Sequence, residues 1–160
     1  KNASHYLRAD RFMARNILVP QFRVFLEDTM GNATPLAHGF DLALQTLRHN
    51  LQHGRNAIME ARLVVLSDGR GNVPLGASLT RNIKIPVSLE GINDTIEMAR
   101  QIGRLNCVEA IFLNPQPKEC PDLPKELAYA LGATLIDIPS KKSSSKISGT
   151  PSEDSDEDLY

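Results

Sequence analysis

The chain has few cysteines, no imbalance of charge and no long apolar run, and each of these lacks removes a class of protein. Its two cysteines, Cys107 and Cys120, stand thirteen positions apart with no CxxC between them. Such a pair reads as free thiols in a reducing compartment, so a cytoplasmic protein is expected. A net charge of −1, with Lys and Arg scattered rather than striped, leaves no footprint for nucleic acid. No apolar run approaches the ~20 residues of a membrane span, so no membrane span is expected. The first ten residues are polar and charged, unlike a signal peptide. The length, 160 residues, fits one domain that buries roughly 70% of its unfolded surface.

What is present is organised around Ala61-Arg-Leu-Val-Val-Leu-Ser-Asp-Gly-Arg70. Leu63 to Leu66 is an unbroken apolar run closed by Ser67-Asp68-Gly69, which predicts a strand buried on both faces, the mark of a parallel sheet covered by helices. In open α/β sheets ligands collect just beyond the carboxyl ends of such strands, where Asp68 stands. Asp-Gly is equally a turn pair, so at this point a functional Asp68 and a simple turn are both open.

Either side of this stretch the pattern alternates between helix and strand. Ile17-Leu18-Val19, closed by Pro20, predicts a brief strand, and Phe22 to Met30 a short helix. Thr34-Pro35 then opens the clearest helix, with Thr34 as N-cap and Leu36, Phe40, Ala43, Leu44, Leu47 and Leu51 on one face; Gly54 is its stop. Ile83 to Val87 alternates but contains Pro86, so any strand there lies at an edge. A helix is expected over 91–103 with Ile92, Ile96, Ala99 and Ile102 inward, a strand over 107–113, a helix over 123–131 closed by Gly132, and a strand over 133–138. Successive βαβ units of this kind predict a three-layer α/β sandwich over residues 1–139. Seven serines between Ser140 and Ser155, and five acidic residues in six from Glu153 to Asp158, make 140–160 a disordered, solubilising tail.

The chemistry-bearing candidates are Thr34 and Asp68. Both offer hard oxygen, which suits Mg²⁺ or Ca²⁺ rather than zinc, and a hydroxyl that caps a helix keeps a second lone pair. Gly69-Arg-Gly-Asn-Val-Pro74 has Pro74 where the dinucleotide fingerprint needs its third glycine, and no GxxxxGK[ST] occurs. An aspartyl nucleophile at Asp68 is conceivable, although Arg70 fills the place where a second carboxylate usually stands. His49 and His53 share a helix face without the Glu of a zincin, which suits a surface role near the helix C-terminus. His38 has no partner visible in the sequence, and no Ser/His/Asp or Cys/His set can be argued.

Gly31-Asn-Ala-Thr-Pro-Leu-Ala-His-Gly39 together with Leu63-Val-Val-Leu-Ser-Asp-Gly-Arg-Gly-Asn-Val73 resembles the von Willebrand factor A-type (vWA) domain of magnesium chelatase D subunits and related ATPase-associated proteins. The resemblance runs from about Ile17 to Pro139. It implies a Rossmann-like, mostly parallel sandwich with a metal-ion-dependent adhesion site at its carboxyl edge. In that family the site is built from Asp-x-Ser-x-Ser after the opening strand, a Thr before a helix and an Asp after a central strand. Thr34 matches the second motif and Asp68 the third. The first is absent, because no Asp here is followed by Ser two positions on, and the opening strand is missing with it. A start at Lys1 without an initiator Met favours truncation over decay of the site.

What the resemblance implies is a non-catalytic module that holds Mg²⁺ through Thr34 and Asp68. An acidic group of a partner, an AAA+ ATPase subunit of a chelatase-like complex that inserts Mg²⁺ into a porphyrin in chlorophyll biosynthesis or a related pathway, completes the coordination. The alternatives are an α/β hydrolytic domain using Asp68, and a scaffold whose metal site is vestigial.

Overall fold

A computed structural model of the chain describes residues 8–9, 11, 33–52, 59–80, 89–119 and 121–138. The strand expected at 17–19, the helix at 22–30, the stop at Gly54, the edge strand at 83–87 and the tail 140–160 lie outside these residues, as do His53 and Cys120. Among the described residues the elements run α1 (Leu36–Gln52), β1 (Ala61–Leu66), α2 (Leu75–Thr80), α3 (Leu89–Gly103), β2 (Val108–Asn114), α4 (Asp122–Leu131) and β3 (Thr134–Asp137).

The three strands lie side by side in the order β1-β2-β3 and are parallel throughout, with Val65 opposite Phe112 and Phe112 opposite Leu135. Parallel neighbours require a crossover, and α3 and α4 supply the two crossovers here. The α/β class read from the sequence is therefore the class observed.

One face of this sheet carries the helices. Val65, Ala110 and Phe112 enter a single cluster with Phe40 and Leu44 of α1, Ile96, Ala99 and Ile102 of α3, and Leu127, Ala128 and Leu131 of α4. Each helix contributes the stripe its spacing predicts, because side chains three and four apart share one side.

Among the described residues the opposite face carries no helix. Val64, Leu66 and Ile136 are 54%, 66% and 46% exposed, and Ile111 and Leu113 lie half-buried between them. Burial of 63–66 on both faces is corrected accordingly: every helix of the core cluster sits on the Val65 side, so β1 alternates instead of vanishing into the interior. On the open face Arg62 pairs with its register partner Glu109 at 2.7 Å. The described residues form two layers, a sheet and one sheet of helices.

Two further local features differ from the sequence reading. The Pro35 carbonyl accepts the Gly39 N–H at 3.0 Å, the first bond of α1, so Pro35 rather than Thr34 takes the capping place. Helix α2 was not anticipated; the first N–H of this short helix, that of Leu75, donates to Asp94 Oδ2 of α3 at 2.8 Å. Gly132, by contrast, closes α4 in the left-handed conformation at φ 64°, as its position predicts.

Candidate functional site

Polar residues gather where the three parallel strands end. Ser67 and Asp68 follow β1, Asn114 is the last residue of β2, and Asp137 the last of β3. This is the rim at which an open α/β sheet holds its ligands.

Asn114 is the hub of the rim. It is 1% exposed, and a buried amide of this kind must satisfy both its ends. Its Nδ2 donates to Asp137 Oδ1 at 3.1 Å, and its Oδ1 accepts the Gln116 backbone N–H at 3.0 Å. Gln116 is thereby fixed, and its Oε1 accepts from Arg70 Nη2 at 2.9 Å. The Arg70 guanidinium is held from its other side by Asp68, with Nε and Nη2 at 2.7 Å and 2.6 Å from Oδ2. Asp68 Oδ1 also accepts the Arg70 backbone N–H at 3.1 Å, closing an Asx turn. Arg70 remains half exposed and Asp68 is mostly covered.

The loop that carries this pair is pressed onto the helices. A Cβ on Gly91 of α3 would stand 2.5 Å from the Asn72 carbonyl carbon, so only glycine lets the loop backbone come so close. Asn72 Oδ1 accepts the Thr34 backbone N–H at 2.7 Å. Thr34 thus meets the loop that bears Asp68, by its main chain and through Asn72.

Thr34 and Asp68 do not make a Mg²⁺ site by themselves. Mg²⁺ takes six oxygens in octahedral geometry, whereas both oxygens of Asp68 already accept from Arg70. Among the described residues no group of three His, Cys, Asp or Glu converges. A guanidinium against the one carboxylate also opposes a second cation at that place. The donor set in hand does not fit a resident divalent ion.

Compared with known protein families, characterised proteins and solved structures, the chain matches none of them.

Two other places lie apart from the rim. His38, without a partner in the sequence reading, has one: Ser78 Oγ lies 2.7 Å from its Nδ1, which also accepts the Ala9 N–H at 3.3 Å. Both side chains are buried, Ser78 wholly so, which makes the pair a tie between α1 and α2 and bars it from substrate. A cleft of about 540 Å³ lies among Glu60, Ala61, Arg62, Cys107, Val108 and Glu109, at the amino end of β1 and β2 and away from the polar rim. Cys107 is free, as its isolation predicted, and is exposed. No helix among the described residues is long and apolar enough to cross a membrane.

Sequence reasoning singled out Asp68 but passed over Asn114, Gln116 and Asp137, and it weighed Arg70 only as a missing carboxylate. The signal was available in one respect: each of three strands ends on a polar residue or runs straight into one, and such a recurrence marks a shared rim.

Proposed function

We propose that this chain is a non-catalytic protein-binding module, a vWA-type domain with the three-layer Rossmann-like architecture of that family. It works in a cytoplasmic chelatase-like complex and docks an AAA+ ATPase subunit at the carboxyl edge of its sheet. The observation that carries this reading is the fixed polar rim, Asp68, Arg70, Gln116 and Asn114, on the edge where the resembled family engages its partners. The motif around Thr34 and the run from Leu63 to Val73 support the family, and the parallel sheet is consistent with it.

The enzyme reading is disfavoured at the described residues it would use. Asp68 is committed to Arg70 through both oxygens, and the Ser78–His38 pair is closed to solvent. Thr34 and Asp68 remain the residues through which Mg²⁺ would act in a more complete site, with the ion supplying a bridge to a partner carboxylate. The docking proposed here does not require it.

Asp68→Ala in the full-length parent protein tests the assignment. Co-precipitation of the AAA+ subunit should fall about tenfold or more, as for loss of a buried charged partner at an interface. A hydrolytic activity of the chain that disappears with Asp68→Ala, or unchanged capture of the subunit, would refute it.

A further inference from the structure

We infer that the edge of β1 away from β2 is a docking seat for one extended, apolar segment of another protein, which joins the sheet as a further strand. The seat is separate from the polar rim and does not depend on the docking assigned there.

The backbone of β1 supplies the hydrogen-bonding half of the seat. The Ala61 N–H donates to the Cys107 carbonyl at 2.8 Å and the Ser67 N–H to the Leu113 carbonyl at 3.1 Å. Alternation along the strand then turns the N–H and C=O groups of Arg62, Val64 and Leu66 away from β2. The sheet runs β1-β2-β3, and among the described residues no strand lies on that side of β1. Such a row of main-chain groups is a template for another strand, which native edges commonly blunt with proline, lysine or a bulge. Ala61–Leu66 contains neither proline nor lysine, and its register with β2 runs unbroken from end to end.

A cleft of about 530 Å³ supplies the side-chain half. Leu42, Ala43 and Leu47 of α1, Leu63 of β1, and Ala9 and Arg11 line it, and no residue of β2, β3, α3 or α4 is among its described lining. The cleft therefore lies beside β1 and under α1, on the side away from β2. In strand addition, main-chain bonds supply affinity and pockets for alternate side chains supply selectivity. Here alternate apolar side chains of the segment enter the cleft against Leu63, and those between them lie beside the exposed Val64 and Leu66. Arg11, exposed and bonded through Nη1 to Thr46 Oγ1 at 3.2 Å, brings positive charge to the cleft, whose described lining holds no carboxylate. An acidic residue flanking the apolar ones is favoured accordingly. A second copy of the chain does not fit. Two β1 edges paired about a two-fold axis run antiparallel with both helix layers on one face, and the second α1 would need the ground that the first already covers.

The test uses the full chain and a short capped peptide of alternating valine and threonine ending in glutamate, followed by amide hydrogen exchange. The peptide should slow exchange at Val64 and Leu66. The same peptide N-methylated at alternate amides, which cannot complete the ladder, should bind about tenfold or more weakly. Val64→Pro removes an edge N–H where an edge strand tolerates proline and should weaken binding about fivefold or more, the effect of one lost hydrogen bond. Ala43→Phe, which fills the cleft without touching the edge, should weaken it comparably, with the melting temperature of each variant checking the fold. Failure of the peptide to slow Val64 and Leu66, or binding indifferent to N-methylation and to Ala43→Phe, would overturn the inference. So would Val64 and Leu66 amides already protected before peptide is added, since the seat is then taken. Sedimentation would show whether a second copy or this chain itself takes it. Peptide binding lost with Asp68→Ala would move the peptide to the rim and remove this inference, whereas capture of the AAA+ subunit indifferent to Asp68→Ala removes the rim reading and leaves this one untouched.

Discussion

The two faces of the sheet are built from similar residues and meet different fates. Val65, Ala110 and Phe112 point one way and are buried under α1, α3 and α4, while Val64 and Leu66 of β1 and Ile136 of β3 point the other way and are exposed. Hydrophobicity is shared almost evenly between the faces, so composition does not decide which one is covered; the helices do. The inner face stabilises the fold in proportion to the area it hides. The outer one contributes little in the isolated chain.

That contrast is sharpened most by Phe112→Ala. Phe112 is fully buried at the centre of the sheet, and its truncation should cost about 3–5 kcal/mol, read as a large drop in the urea midpoint. Asn114→Ala comes next. It removes two part-buried hydrogen bonds, to the Gln116 N–H and the Asp137 carboxylate, at a cost of about 1–3 kcal/mol for the two, and should also loosen Arg70. Leu66→Ser should change stability by only about 0.5 kcal/mol, as for a mostly exposed position. If Leu66→Ser proves as damaging as Phe112→Ala in the same denaturation experiment, the outer face is covered in solution and the contrast breaks down.

The fold was legible wherever one short stretch of sequence determines the outcome. The stripe from Leu36 to Leu47, the Ile96, Ala99 and Ile102 face of α3, and Gly132 at the end of α4 all needed only local periodicity or backbone freedom. What could not be read depends on partners remote in the chain. Leu63 to Leu66 looks the same in sequence whether one or both of its sides are covered. The Leu75–Thr80 helix has too few residues to show a periodic stripe, and the acceptor for its first N–H, Asp94, lies nineteen positions downstream. His38 and Ser78 are forty residues apart. At the rim, Asp68 stood out because a strand leads straight into it, but its pairing depends on Arg70, and the rest of the clamp on Gln116, forty-six positions beyond Arg70.

The buried amide at the end of the middle strand has one more effect, on how the strands can align. Sliding β2 by a single residue would turn Phe112 outward to water and swing Asn114 away from Asp137 on the neighbouring strand. Two runs as uniformly apolar as Leu63–Leu66 and Ala110–Leu113 could otherwise zip together a step out of place with modest loss of contact. One carboxamide, content only in the native frame, makes every shifted frame a poor competitor.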